Sequence, residues 1–447
     1  MFGKSTPSEP DDSPVDMLEA LDAKGPATVK GDDLPHFQGD ASDLVRPGEP
    51  GKFARIRTRL RTACTPSRPI KNPAMLAGRR DILRTLVRSI EDQQFHVVVY
   101  GERGIGKTSL MHILAQIATE AHYLVRYASC SEDASTSEFF RAIFADIPLL
   151  YHKDYLPTSE QVEEGFSFAD LLPESTLSVP VISDAFSKLN GTRLLIILDE
   201  FDRANQHEFR RGIAELVKNL SDRSIGVQLV IAGVASNLTQ LIEYIPSIRR
   251  NIRGLEVPNM SDEEVADMIQ RVEGASGLTY HQEALQLICE AAFGLPYLAS
   301  LLGQHAGLTA LDRAASEVEW EDVCKAIDIA AAEMRYRISA KAIYQMHKVR
   351  SVGDRDSVLA AACAALRHGG RLVPEHLGGP VEGAEKLIRF RQSYGLIEPV
   401  EGDPVGAYVF EEEGFPVLLW LQFCQMMLAG RSEKSISLRR MIPIRLD

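Results

Sequence analysis

Four side chains have the types and spacing to act on a phosphoanhydride: Lys107 with Thr108, and Asp199 with Glu200 about ninety residues on. The first pair closes the run Gly101-Glu102-Arg103-Gly104-Ile105-Gly106-Lys107-Thr108, and Ser109 follows. Gly101 and Gly106 allow backbone conformations and close approaches that a Cβ would block, so several N–H groups can converge on one anion. The Lys107 ammonium can then reach β- and γ-phosphate oxygens, and the Thr108 hydroxyl can coordinate Mg2+. A glycine-containing turn with no ligand is the plain alternative, but Lys-Thr at the helix start with a strand before the turn favours the phosphate reading. Asp199 would hold the Mg2+, directly or through water, and Glu200 would polarise the attacking water. Taken alone, that pair could be a solvated acidic turn. With a phosphate loop upstream it predicts hydrolysis, because a small-molecule kinase has no need of a water-activating carboxylate beside the metal ligand.

The flanking residues supply the elements that must position this chemistry. Val97, Val98 and Val99 read as a buried strand entering the glycine run, and Leu110, Ile113, Leu114 and Ile117 as one helix face leaving it. That helix would add its unpaired N–H groups and positive end to the anion site. Leu194–Leu198 is an unbroken aliphatic strand, of the kind covered on both faces in a parallel sheet. Its carboxylates fall at the C-terminal end, where open α/β sheets place ligands. Tyr123–Ala128 and Val227–Ala232 read as further strands. The stripe Phe139, Phe140, Ile143, Phe144 and the segment Val181–Leu189 read as helices, and the irregular stretch Leu149–Ser178 between them as an insertion or a pair of short helices. Past the Val227 strand, Ser236 or Asn237 could sense the γ-phosphate, or simply cap a helix. Arg249, Arg250 and Arg253 could reach a neighbouring subunit's γ-phosphate, or form a basic surface turn.

Composition limits the rest. The 447 residues are 45% hydrophobic and 25% charged, with a net charge of −13, which fits a globular protein and excludes a uniformly basic nucleic-acid binder. The six cysteines have no metal-like spacing and read as reduced thiols, so a cytoplasmic protein is expected. The N-terminus carries no signal-like apolar core, and Phe415–Leu428 is too short to span a bilayer and reads as a buried helix. Residues 1–50 are acidic and rich in Pro, Ser and Gly, which predicts disorder apart from a short helix near Val15–Leu21. The sign then flips: Lys52, Arg55, Arg57, Arg59, Arg61, Arg68 and Lys71 lie in a stretch without acidic residues. A solvated linker over residues 51–72 is the favoured reading, and an arm on nucleic-acid phosphates the other. Ile82, Leu83, Leu86 and Ile90 then mark an amphipathic helix before the first strand.

In their order these parts resemble the AAA+ ATPases, and within them an origin-recognition-like and STAND-like branch, over about residues 70–335. Gly101–Thr108 and Leu194–Glu200 match that family's Walker A and Walker B motifs. The resemblance implies a P-loop NTPase core over residues 73–258, an α-helical lid over 259–336, and bound ATP with Mg2+. Gly78-Arg79-Arg80 resembles the box that lies by the adenine. Ser236 and Asn237 fall where a first sensor is expected, and Arg249, Arg250 or Arg253 where a finger is. Ser261 with Glu264 fits a capping box at the lid's start. Phe293-Gly294-Leu295-Pro296-Tyr297-Leu298 resembles the GxP signature of STAND-type ATPases. A typical second-sensor arginine is missing there, which leans toward a slow switch. Catalysis is thus expected from Lys107 and Glu200 with Asn237, Arg249 and Arg250. Nucleotide contacts are expected from Gly101, Glu102, Arg103, Gly104, Ile105, Gly106, Lys107, Thr108, Ser109, Gly78, Arg79 and Pro296, and metal contacts from Thr108 and Asp199.

Residues 337–447 read as helix, helix, helix and β-hairpin, a winged-helix-like order. The third helix, Gly383–Tyr394, would carry Lys386, Arg389 and Arg391 toward DNA. Glu398, Glu401 and Asp403 on the wing, and Glu411–Glu413 beyond it, oppose that contact. Double-stranded DNA, through this region or the basic linker, is therefore one expected partner; a second copy or another protein is the alternative. Two functions follow: an ATPase acting as a conformational switch, or a nucleotide-holding regulatory scaffold with little turnover.

Overall fold

The computed structural model describes residues 52–235, 250–400, 403, 405–429 and 437–442. At its centre lie five parallel strands: β1 (His96–Gly101), β2 (Leu124–Ser129), β3 (Leu194–Asp199), β4 (Val227–Val234) and β5 (Ile252–Glu256), in the order β2-β3-β4-β1-β5. Period-two alternation sends Leu195 and Ile197 of β3 to one face and Leu194, Ile196 and Leu198 to the other, and each set joins a separate core. Both faces are covered, so β3 is apolar throughout and every one of its residues is buried. The register sets Ser129 beside Asp199 and Val97 beside Val230. Tyr127, Ser129, Asp199 and the glycine run therefore share one end of the sheet.

β5 departs from the expectation of a basic turn over Ser247–Arg253. Residues from Ile252 onward pair in parallel with β1, and Arg253 faces outward opposite Val97. An edge strand has one neighbour and buries little, here only Ile252, so its sequence carries almost no strand pattern.

The segment expected as a solvated linker is a helix, α1 (Lys52–Ala63), with Ile56 and Leu60 buried. Helices α2 (Arg80–Glu91), α3 (Lys107–Glu120), α4 (Thr136–Ala145), α5 (Ser159–Glu163), α6 (Val179–Phe186) and α7 (His207–Asp222) complete the sheet-containing layer. α8 (Asp262–Ser276), α9 (Gln282–Ala292), α10 (Pro296–Asp312) and α11 (Trp320–Arg337) form the next, helical unit. The Ser261–Glu264 capping box is present at its start, with both reciprocal bonds made at 3.2 and 2.9 Å. α1 docks on α8 and α10 because α10 offers glycines where α1 arrives. A Cβ on Gly307 would come within 2.8 Å of Leu60, and one on Gly303 within 3.8 Å of Cys64. Arg57 pins the helix to Asp312 at 2.5 Å, which leaves Lys52, Arg55, Arg59 and Arg61 exposed. Leu60→Ala is expected to cost about 3 kcal/mol of stability, read as a lower denaturant midpoint.

The C-terminal part comprises α12 (Ala340–Val352), α13 (Arg355–Arg367), α14 (Pro380–Arg389), an antiparallel pair β8 (Ile397–Pro399) and β9 (Tyr408–Phe410), and α15 (Phe415–Leu428). A two-residue parallel pair, β6 (Thr279–Tyr280) and β7 (Glu317–Val318), lies within the helical unit before it. α15 is apolar all round because it is buried between α11 and α13, and Trp420 donates its indole N–H to the Ala291 carbonyl at 2.8 Å. Among the described residues no helix is long and apolar enough to cross a membrane.

Candidate functional site

The glycine run turns sharply out of β1 into α3. Gly101 abuts the next segment so closely that a Cβ would lie 2.8 Å from the Val257 carbonyl oxygen. Gly106 caps α3 in the left-handed region at φ 96°, with open space on the side a Cβ would fill. Lys107 folds back and donates to the Gly101 and Glu102 carbonyls at 2.9 and 2.7 Å. Burial pulls its ammonium down to about 8, while Asp202, Asp199, Glu102 and Glu413 pull it back up. A bound polyphosphate would supply the negative charge this lysine lacks.

At the end of β3 both acids are already oriented. Asp199 is buried; one carboxylate oxygen accepts from the Glu200 N–H at 2.8 Å and the other from the Tyr127 hydroxyl. Tyr127 in turn stacks on His112 of α3, ring centroids 4.6 Å apart. Glu200 sits at φ 53°, a strained conformation for a side-chain-bearing residue that turns its carboxylate away from the strand line. That carboxylate accepts from Ser129 at 2.8 Å and from Arg203 at 2.9 Å. The Ser129 bond first, then Arg203, holds it below the ordinary glutamate range. Asp202 accepts from the Val234 N–H at 2.7 Å and so ties this turn to the end of β4.

A cavity of about 770 Å³ joins these groups, a volume within the range of small-molecule sites. Its floor is Arg103, Gly104 and Gly106–Ser109; Asp199, Glu200 and Asp202 close one end. The helical unit contributes Met268, Val272, Pro296, Tyr297 and Ser300. A strap from Thr65 to Ile70, with Met75, forms a further wall, and Glu413 reaches in from the C-terminal part. The strap is held because the Ile70 N–H donates to the Ser109 hydroxyl at 3.0 Å. Among the described residues no cluster of three or more His, Cys, Asp or Glu could hold a metal unaided. Thr108 and Asp199 do fit a Mg2+ that completes its oxygen shell with phosphate and water.

Other expected residues lie elsewhere. Gly78 and Arg79 do not line this cavity: Arg79 is buried under the loop, donating to the Ile105 carbonyl at 3.4 Å, and burial lowers its pKa. The Ile105 side chain is core, leaving only its backbone to face a ligand, and Glu102 turns its carboxylate toward the C-terminal part. Desolvation there raises Glu102 to about 7. Arg250 pairs with Asp222 at 3.5 Å next to Asn251, whose carbonyl meets the first residue of β1. That is the opposite end of the sheet, so Arg250 cannot serve its own chain's cavity. Ser236, Asn237 and Arg249 lie outside the described residues.

The third C-terminal helix also differs from expectation. Lys386 is buried, donating to the Leu377 carbonyl at 2.9 Å and paired with Glu382 at 2.7 Å; Arg389 pairs with Asp354 at 3.3 Å. Only Arg391 of the three basic residues has no partner among the described residues. Two of the acids are engaged as well: Asp403 is buried on Arg371, and Glu411 pairs with Lys341, while Glu401 lies outside the described residues. Nothing in the sequence points to a site role for Tyr127, Ser129, Met268, Val272 or the strap, whereas Tyr297 lies in the GxP-like segment beside Pro296. Met268 was legible only as part of an apolar stripe, and Ser129 had no signal before its register with Asp199 was known.

Residues 88–242 match the family model described as an AAA domain. The chain is 23% identical over 215 residues to the replication factor C large subunit of Natronomonas pharaonis, a match covering 48% of this chain and 35% of that protein. The chain thus spans about a third of that relative's length. Among solved structures it is similar to Orc1 of Aeropyrum pernix in complex with DNA (TM-score 0.44, 16% identity, 81% of this chain and 96% of that one). It is also similar to Cdc6p of Pyrobaculum aerophilum (TM-score 0.42, 14% identity, 81% and 98%). The RuvB Holliday junction branch migration motor of Thermotoga maritima is a third (TM-score 0.41, 15% identity, 76% and 95%). The fold itself rests on the strand order and the matched domain.

Proposed function

We propose, from the AAA domain that residues 88–242 carry, that this chain binds ATP in the cavity and hydrolyses it to ADP and phosphate as a conformational switch. The observation that carries the reading is the meeting of Lys107 with the braced pair Asp199 and Glu200 on one cavity. On ATP binding, Lys107 exchanges the Gly101 and Glu102 carbonyls for β- and γ-phosphate oxygens, and loop N–H groups take the remaining phosphate oxygens. Thr108 and Asp199 would hold Mg2+, which when bound would neutralise phosphate charge. Glu200, released from Ser129, orients a water and accepts its proton. The water oxygen bonds to the γ-phosphorus as the bond to the ADP oxygen breaks. Arg250, remote from its own cavity, fits a finger role only toward a neighbouring copy. The apolar wall of Met75, Met268 and Val272 suits a base.

A second reading, a nucleotide-holding scaffold with little turnover, is favoured by one observation. The helical unit lends the cavity Met268, Val272, Pro296, Tyr297 and Ser300 but no arginine among the described residues. The C-terminal helix–helix–helix–hairpin order supports a winged-helix-like module. Its spent basic residues make the exposed face of α1 the better candidate for DNA phosphates. Steady-state ATP turnover of the full chain, with and without duplex DNA over a salt series, separates the readings. DNA-stimulated, salt-sensitive turnover is the outcome expected of the switch; negligible turnover throughout, with ATP bound, would establish the scaffold.

A further inference from the structure

The triplet Glu411–Glu413 leads from β9 into α15, and its three carboxylates go separate ways. Glu411 pairs with Lys341, and Glu412 accepts from the Ser339 N–H at 3.4 Å, both inside the C-terminal part. Glu413 alone turns to the phosphate loop, where Arg103 donates to it at 3.2 Å. Both members of that pair line the nucleotide cavity. The charge on Glu413 also acts on Lys107 and Glu102. Nucleotide phosphates are drawn to this same end, by Lys107 and the loop. The Arg103–Glu413 pair is mostly exposed, so it contributes little to the stability of the empty protein. Its consequence is a carboxylate on the cavity wall at the end where a triphosphate adds charge that a diphosphate lacks.

We propose that Glu413 sets the ADP-over-ATP preference of this site: it occupies Arg103 and repels the γ-phosphate, so a triphosphate binds only as Arg103 leaves Glu413 and the C-terminal part yields. The inference rests on the nucleotide reading above and goes beyond it, since it makes a C-terminal residue a determinant of nucleotide specificity. Glu102, half-buried and with its carboxylate beside the Gly369-Gly370 turn, where a Cβ on Gly370 would come within 3.2 Å of it, marks a second place where the loop faces that part. A loop that reshapes around a γ-phosphate therefore pushes on the C-terminal part at two points.

The test is equilibrium competition against a fluorescent ADP analogue, using ADP and a non-hydrolysable ATP analogue with Mg2+ on the full chain. Glu413→Gln is expected to tighten the triphosphate about five-fold and the diphosphate by less than about two-fold. The triphosphate gain should shrink as salt is raised, which a merely structural role would not produce. Glu411→Gln, which alters the neighbouring acid but not Arg103, should move neither. Equal changes for both nucleotides, no change, or a gain indifferent to salt would overturn the proposal. Should Glu413→Gln fail to fold, Glu413→Ala carries the same expectation. Lys107→Ala run alongside separates the two levels: if it binds like the parent, the nucleotide reading falls. If it loses binding while Glu413→Gln changes nothing, only the role of Glu413 falls.

Discussion

Lys107→Ala is expected to abolish tight ATP binding, weakening it by about a hundred-fold or more. The Lys107 ammonium, at the start of the helix that follows the loop, can give charge-assisted bonds to two phosphates at once, each worth about 1.5–3 kcal/mol. About 1.4 kcal/mol corresponds to ten-fold in affinity. The fold should survive, because the substitution removes a desolvated ammonium whose pKa burial has already lowered to about 8. The Gly101 and Glu102 carbonyls lose their donor, and water entering the open cavity can replace it. Competition binding and a thermal melt together make the check. Retained affinity with an intact fold would show that nucleotide does not bind at this loop.

Glu200→Gln should leave ATP affinity close to that of the parent while turnover falls about 10²- to 10³-fold, the range expected when a general base is lost. An amide still fills the space and still accepts from Ser129 and Arg203, so the strained turn at Glu200 keeps its bonds. What it cannot do is take a proton from water. Single-turnover hydrolysis beside equilibrium binding distinguishes the effect from lost affinity. Hydrolysis at the parent rate would reject the role given to Glu200.

These expectations rest on residues that were readable without coordinates, and the reason is local. A phosphate loop needs particular residue types at fixed spacing within one turn, and a strand buried on both faces writes itself as an aliphatic run. So Gly101–Thr108 and Leu194–Asp199 stood out. Ser129 and Tyr127 did not, because their value comes from a neighbouring strand's register. Nor did β5, whose single neighbour asks little of its sequence. The basic run before the core was misleading for a related reason. Its charges dominate the composition, but Ile56 and Leu60, spaced one turn apart, decide that it folds onto the helical unit. By charge alone the Glu411–Glu413 acids read as a repulsive surface, whereas each has an intramolecular partner. Net charge cannot report pairing.

The strap from Thr65 to Ile70 has a practical consequence for dissecting this protein. Its hold on Ser109, and the docking of α1 on the glycines of α10, mean that the cavity is walled by chain lying before the matched AAA domain and by chain lying after it. A fragment trimmed to residues 88–242 would keep the loop and the acids but lose β5, the strap, Met268 and Val272. Such a piece would expose an unpaired sheet edge along β1 and offer a nucleotide only its phosphate end. The walls of the cavity begin at the end of α1, upstream of the matched residues.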